Sequence, residues 1–394
     1  MEDSQVLVEA SLPSLPRPAT LAAGVAALLL SLLGVSGNMV TILSLARDPR
    51  LRSQATTLFV ISLAVSDLLF CAVSLPITAL RYFQQAWTLG PALCKLHPFV
   101  FYGSYGASLM SMVAIAINRW VLIAHFGVYH AIYRPVVILA TVAGVWVFSF
   151  GWLLLPLLSL WGTLGEELAT FTCTIRRDAQ GRSPKIFLFV MGFSLPCLAI
   201  TTCYTAILLH VRAKGQAVAR STRTAAPLAS SSKSSAASCQ RREELQLTRT
   251  MMTIFLVFLL TFLPAMLANV LEGRLALPSL HLLASVLSWT SGAVNPLVYS
   301  LLNTRYKQAF RRTLCMAKVC GSSVSLTSTP SEESGLSFLA GGKVAPHPVQ
   351  LQSLHTLSLL ASRPCSLLKT SVLPSRGPRL ETMGGTDFTI ITPE

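Results

Sequence analysis

The chain alternates between long apolar blocks and short polar stretches. Seven blocks, roughly 19–46, 54–80, 96–122, 135–160, 186–211, 250–271 and 279–302, run for about 18 residues or more with few charges, which predicts transmembrane helices. A large soluble helical protein would need polar stripes on its surface helices, and these blocks lack them. Between segments 5 and 6, residues 212–249 turn basic and Ser/Ala-rich ("ASSSKSSAASCQRREE"). That composition predicts a loop flexible in its middle, with ends that extend the flanking helices. After segment 7, residues 303–315 are amphipathic: Tyr306, Phe310 and Leu314 recur at four-residue spacing with bases opposite. This predicts a helix lying on the membrane surface. Residues 316–394, rich in Ser, Thr, Pro and Gly, read as a disordered tail. The predicted fold is an all-α membrane protein. It has a short N-terminal stretch 1–18, a seven-helix bundle over 19–315, and no internal repeat.

Charge orients the bundle. Only 12% of the 394 residues are charged and 52% are hydrophobic; soluble domains carry about 25% charge. Segment 1 is too long for a cleaved signal sequence, and Arg47, Arg50 and Arg52 follow it. The positive-inside rule then puts the N-terminus outside and the C-terminus inside, in a multi-pass protein of the plasma membrane. The net charge of +15 gathers in the inner loops and after segment 7. Bases flanking membrane segments point to anionic lipid and an acidic cytosolic partner, and away from nucleic acid.

The nine cysteines sort by compartment. Cys71, Cys197 and Cys203 lie within helices; Cys239, Cys315, Cys320 and Cys365 fall on the reducing side. That leaves Cys94 and Cys173 as the one candidate disulfide, against two free thiols. Cys315, ending the amphipathic segment, is a candidate for S-palmitoylation, against an unmodified thiol. The N-terminus and outer loops hold no glycosylation sequon.

Polar residues inside the membrane are costly and mark function. Asp67 stands midway through segment 2, with Asn38, Ser108 and Asn295 at similar depth in segments 1, 3 and 7. This set fits either a small hard cation held through oxygen ligands or a hydrogen-bonded network around a protonated Asp67. Phe101, Tyr105, Ser108 and Arg119 are offset by 4, 7 and 18 residues, so they share one stripe of segment 3. Five turns, roughly 27 Å, separate the ends of that stripe. Glu244 and Phe262 have the same 18-residue offset in segment 6, and Met266 and Asn269 continue their face outward. Pro196, Pro264 and Pro296 interrupt segments 5, 6 and 7 and predict kinks in a bundle that moves.

Taken together, these residues resemble the rhodopsin-like G-protein-coupled receptors. The resemblance spans about residues 19–315. It rests on Gly37-Asn38, "LAVSD" ending at Asp67, and Cys94 placed 25 residues before Arg119. Trp146, Pro196 with Tyr204, Pro264, and "NPLVY" from Asn295 to Tyr299 complete it. It implies a receptor that is not an enzyme and that activates a heterotrimeric G protein. It implies a sodium pocket at Asp67, Ser108 and Asn295 and no other cofactor, and a Cys94–Cys173 staple. Arg119 would engage the G protein once segment 6 swings out, with Tyr204, Pro296 and Tyr299 in the switch. The Ser/Thr-rich tail would be phosphorylated by receptor kinases and recruit arrestin.

Three departures sharpen the resemblance. The usual Asp-Arg-Tyr is Asn118-Arg119-Trp120, which is similar to the melatonin, moody and trapped-in-endoderm receptors and implies an inhibitory G protein. With no acid at 118, the resting state should depend more on Glu244 as the partner of Arg119. The usual Trp of segment 6 is Phe262. Phe101 stands where aminergic receptors carry an Asp, so a cationic amine lacks a counter-ion. The predicted pocket is Phe101, Tyr102, Tyr105, Phe262, Met266, Asn269 and Trp289, apolar with few polar handles. A basic rim of Arg81, Lys95, Arg176, Arg177, Arg182 and Lys185 suits a small lipid-like molecule with an acidic end, or is a solvated loop surface.

Two other classes are open to a seven-segment chain. "GVSG", residues 34–37, matches the Gly-x-Ser-Gly of rhomboid intramembrane proteases, with Ser36 as nucleophile and His281 as base. Ser36 lies deep in segment 1, however, far from the central segment that carries the rhomboid serine. A transporter would show inverted repeats and broken helices, and neither is visible.

Overall fold

A computed structural model describes residues 15–49, 51–167, 171–224, 232–270 and 278–324. Arg50, the N-terminal stretch 1–14 and the tail from 325 onward lie outside the described residues. The helices are α1 (Arg17–Arg47), α2 (Ala55–Gln84), α3 (Gly90–Ala124) and α4 (Pro135–Leu157). α5 starts at Lys185 and ends at Thr224, α6 is Ser232–Val270, α7 is Pro278–Leu302 and α8 is Thr304–Val324. A short helix, Phe126–Ile132, follows α3. α3 runs through the centre of the bundle, packing on α2, α4, α5 and α6, while α1 closes the ring between α2 and α7.

Six helices, α1 to α6, are long and apolar enough to cross a membrane. α7 falls short of that apolar character because Ser285, Ser288, Thr290, Ser291 and Asn295 interrupt it; it packs against α6 and α1 as the seventh member. The bundle's outer face is greasy: Leu32, Leu139, Leu260 and Leu301 are all exposed. In water such a surface would drive aggregation; in a bilayer it meets acyl chains. Small residues set the close approaches. A Cβ on Gly34 would collide with the Cys71 sulfur, and one on Gly103 with the Phe150 ring.

Proline shapes α2 and α5 in the same way. Each contains one π turn, Phe70–Ser74 and Val190–Ser194, just before Pro76 and Pro196. A proline offers no N–H to the carbonyl four residues back, and a wider turn accommodates the gap. Pro264 and Pro296 stay within continuous α6 and α7.

Two expectations change, and a third holds where it can be seen. The ends of the 212–249 loop extend the flanking helices, α5 running on to Thr224 and α6 beginning at Ser232, while the middle expected to be flexible, 225–231, lies outside the described residues. Ala-rich, Glu-containing sequence sustains helix there. The stretch between α4 and α5 is not a plain loop but carries an antiparallel hairpin, β1 (Thr163–Glu167) with β2 (Thr172–Arg176). The amphipathic helix starts at Thr304, capped by Asn303, whose Oδ1 accepts from the N–H of Arg305 at 3.0 Å and of Tyr306 at 3.1 Å. It packs on the bundle with Tyr306, Ala309, Phe310 and Thr313, while Leu314 is exposed. Two steps of four residues rotate a side chain by about 80° on a helix of 3.6 residues per turn, which carries Leu314 off the Tyr306 stripe.

Candidate functional site

The α3 stripe predicted from spacing links both ends of the bundle. Tyr105, Ser108 and Arg119 are buried and Phe101 half-buried.

At the end opposite the hairpin, Arg119 is 2% exposed and Glu244 23%. Arg119 Nη1 donates to Glu244 Oε2 at 2.6 Å, and its Nη2 donates to Thr56 Oγ1. Thr56 in turn donates to Asn118 Oδ1 at 2.5 Å, and Asn118 Nδ2 donates to the Tyr129 hydroxyl at 3.1 Å. Asn118 thereby joins α2 and the short helix to α3. A second cation holds α6: Arg305 on α8 pairs with Glu243 and stands 3.6 Å from Glu244 Oε1. Gln246 Nε2 adds a bond to the Leu302 carbonyl at 2.9 Å. Thr56, Tyr129, Arg305 and Glu243 were missed from sequence, because nothing in their local spacing says which helix each will face. Trp120, grouped with Arg119 by sequence, turns to the His125 ring at 5.0 Å. Tyr204 and Tyr299 are buried nearby; the Tyr299 ring meets Tyr306 at 5.5 Å and its hydroxyl has no partner among the described residues. Burial pushes the Tyr306 phenol up to about 12, partly offset by the Arg119 guanidinium, so the group stays neutral at physiological pH.

Midway, Asp67 is buried and both its oxygens are engaged. Ser108 Oγ donates to Oδ1, and Asn295 Nδ2 donates to Oδ2 at 2.7 Å. Ser66 and Ser108 hydroxyls lie 3.0 Å apart. A carboxylate with two hydroxyls is an oxygen donor set that suits a small hard cation. Asn38 does not join it; its Nδ2 bridges the Gly34 and Gly292 carbonyls at 2.9 and 2.8 Å. Above Asp67 an aromatic stack begins. Tyr105 packs on Phe262 at 4.4 Å and on Phe70 at 4.6 Å, and its hydroxyl donates to the Ser288 carbonyl at 3.0 Å.

At the hairpin end, Cys94 and Cys173 form the expected disulfide, which pins β2 to α3. The predicted pocket resolves into two adjoining cavities that share Tyr102, Phe262, Met266 and Asn269. The first reaches between α4 and α5, where Phe148, Trp152, Phe189 and Phe193 add walls that the sequence reading missed; Tyr105 lines it too. The second holds Phe101 and Trp289 but also Arg81, His97, His281, Thr172 and Thr174. The expectation of few polar handles therefore fails for this half. The basic rim changes as well. Arg81 is 5% exposed, donating to the Phe171 carbonyl at 3.3 Å and to Thr172, its guanidinium 4.2 Å from the Tyr82 ring centre. Arg176, Arg177 and Arg182 bond within the hairpin and the loop after it, to the Glu166 carbonyl, the Gly181 carbonyl and Asp178.

The Ser36 reading finds no support. Ser36 is exposed on the outside of α1, and its hydroxyl donates to the Leu32 and Leu33 carbonyls at 2.8 and 3.1 Å.

Residues 37–299 match the family described as "7 transmembrane receptor (rhodopsin family)". The chain belongs to that family. The receptor is 44% identical over 320 residues to protein trapped in endoderm-1 of Drosophila melanogaster, across 79% of this chain and 81% of that one. It is 32% identical over 338 residues to the G-protein coupled receptor moody of the same fly, covering 73% of this chain and about half (50%) of the relative's length. Squid rhodopsin shares the fold, with a TM-score of 0.69 at 22% identity over 81% of this chain and 94% of that one. These relatives agree with the branch read from Asn118-Arg119-Trp120. The receptor is thus a multi-pass membrane protein that answers a ligand and signals through a heterotrimeric G protein, and it is not an enzyme.

Proposed function

We propose that the receptor answers an apolar, non-aminergic small molecule and activates a G protein of the inhibitory class. The hairpin end and N-terminus face outside; the Arg119 end and C-terminus face the cytosol. One observation carries the ligand class. Phe101, in the position where aminergic receptors place an acid, packs its ring on Phe70 and Tyr105, each at 5.3 Å. An ammonium ligand would be desolvated there without a counter-ion, a cost of several kcal/mol. The cavity walls of aromatic, Leu and Met side chains favour apolar contact instead.

Ligand binding beside Phe262 shifts a two-state bundle. α6 leaves α3, Arg119 exchanges Glu244 for the G protein, and Tyr204 and Tyr299 hold the open form. Asp67, Ser108 and Asn295 would hold a sodium ion, supplying a counter-charge to the buried carboxylate. Phosphorylation of the tail by receptor kinases recruits arrestin, and a palmitoyl chain on the exposed Cys315 anchors α8 to lipid.

The test is cAMP in cells expressing the full chain, with and without pertussis toxin, starting from basal activity. Toxin-sensitive lowering of cAMP is expected. A signal that survives the toxin moves the coupling to another G-protein class. Dose-dependent signalling by biogenic amines refutes the ligand class.

A further inference from the structure

Neutral polar side chains on α6 and α7 line the second cavity, and they spend donors on their own helices. Asn269 Nδ2 donates to the Ala265 carbonyl at 2.8 Å. Ser285 Oγ donates to the His281 carbonyl at 2.8 Å, and Ser288 Oγ to the Ser285 carbonyl at 2.7 Å. A backbone carbonyl only accepts, so these bonds fix which atom gives the proton. A hydroxyl has one proton to give, and both serines have given theirs. What they hold out to a ligand is lone pairs, as does Asn269 through its Oδ1, beside one further N–H. Donation to a carbonyl also polarises a hydroxyl oxygen and makes it a better acceptor. His97 on α3 repeats the pattern: its Nε2 donates to the Ser74 carbonyl at 3.4 Å, which leaves Nδ1 a lone pair in the neutral ring. Arg81, the donor-only member of this wall, bonds to the hairpin through the Phe171 carbonyl and Thr172. Asn269 lines both cavities, so it stands where the polar half meets the apolar one.

From this surplus of acceptors we infer that the ligand's polar end is a neutral, hydroxyl-bearing group. It donates hydrogen bonds to Asn269 on α6 and to Ser285 and Ser288 on α7, while its hydrocarbon body fills the apolar cavity. This rests on the apolar, non-aminergic reading above and narrows it to one end-group chemistry. An ether has no proton to donate and leaves these acceptors unpaired once water is expelled. A carboxylate likewise has none to give. An ammonium can donate, but it is desolvated there without a counter-ion. Because the acceptors stand on two helices, a ligand with two hydroxyls at one end bridges α6 and α7 beside Phe262 and Trp289.

The experiment measures nucleotide exchange on the G protein in membranes carrying the full-length receptor, read against membranes without it. The probes share one chain length: dodecanol, dodecanediol with both hydroxyls at one end, dodecyl methyl ether, dodecanoate and dodecylammonium. Dodecanol is expected to be about 2- to 10-fold more potent than the ether, the range of one neutral hydrogen bond, and the diol more potent than dodecanol by a similar factor. Asn269→Ala and Ser285→Ala should each cost the diol about 2- to 10-fold and leave the ether response where it was. Surface labelling and the retained ether response show that each variant is folded. Equal potency of alcohols and ether on the wild type overturns the inference while leaving the apolar reading standing. So does dodecanoate acting more strongly than the diol, or a variant shift that is absent or the same for diol and ether, which would make these side chains packing. Dodecylammonium as the strongest probe, or silence with every probe, overturns the inference together with the reading beneath it.

Discussion

The two ends of the receptor are built differently: one closes on an ion-pair cluster, the other encloses two adjoining cavities. At the Arg119 end, two cations meet two acids: Arg119 with Glu244, and Arg305 with Glu243 and, more loosely, Glu244. At the hairpin end, Arg81 and Lys185 line cavities in which no described wall residue is acidic. A neutralised cluster that spans α3, α6 and α8 has the chemistry of a latch, the role proposed above. Its parts are satisfied only while the three helices stay together, so separating them exposes or strands charges. The hairpin end instead encloses two adjoining cavities walled largely by aromatic side chains, the architecture of a ligand site. The aromatic column from Phe101 through Tyr105 to Phe262 lies between them, uncharged and closely packed.

Mutations break this comparison in graded ways. Arg119→Ala should abolish stimulated nucleotide exchange at normal surface levels, because in the proposed mechanism both states use it; retained coupling would mean that the latch end does not transmit. Glu244→Ala strips the acid nearest both cations and should raise basal exchange about tenfold, equivalent to roughly 1.4 kcal/mol off the resting state. An unchanged basal level would show that the pair is packing and not a latch. Arg305→Ala should raise basal exchange by about two- to fivefold, less than Glu244→Ala, since Arg119 keeps its partner and the Arg305 pair is only part-buried. Asn118→Asp places a carboxylate beside Arg119 and should lower basal exchange by about twofold; an increase would mean that the neutral bonds to Thr56 and Tyr129 matter more than charge. Ser36→Ala, outside both regions, should change neither basal nor stimulated signalling, and a loss would reopen the protease reading.

Much of the site was legible in the sequence because it lies along single helices. Offsets of 18 residues put Phe101 and Arg119 on one face of α3 and Glu244 and Phe262 on one face of α6, since helical geometry is local and periodic. Asp67, Ser108 and Asn295 were legible for another reason: isolated polar groups inside apolar blocks have few places to go other than toward one another. Arg81 shows the limit. Its sequence position, just past the predicted end of segment 2, reads equally as a solvated rim or a buried cation. Only the hairpin folded over it, through Phe171 and Thr172, decides the matter. Thr56, Tyr129 and Arg305 were illegible because their roles depend on which helices become neighbours.

The amino-acid sequence by itself determined the number of crossings, the family and the polar stripe of α3, and narrowed the disulfide to one candidate pair. Each follows from local periodicity, from the cost of charge in lipid, or from the order of motifs along one chain. The tertiary structure alone decided that Glu244 is shared by Arg119 and Arg305, that Asn118 ties Thr56 to Tyr129, and that the pocket is split into an apolar and a more polar half. Those facts depend on helix rotation and on contacts between residues as far apart as Thr56 and Arg119, or Arg119 and Glu244. Such contacts are set by the packing of the whole bundle, which no short window of sequence contains.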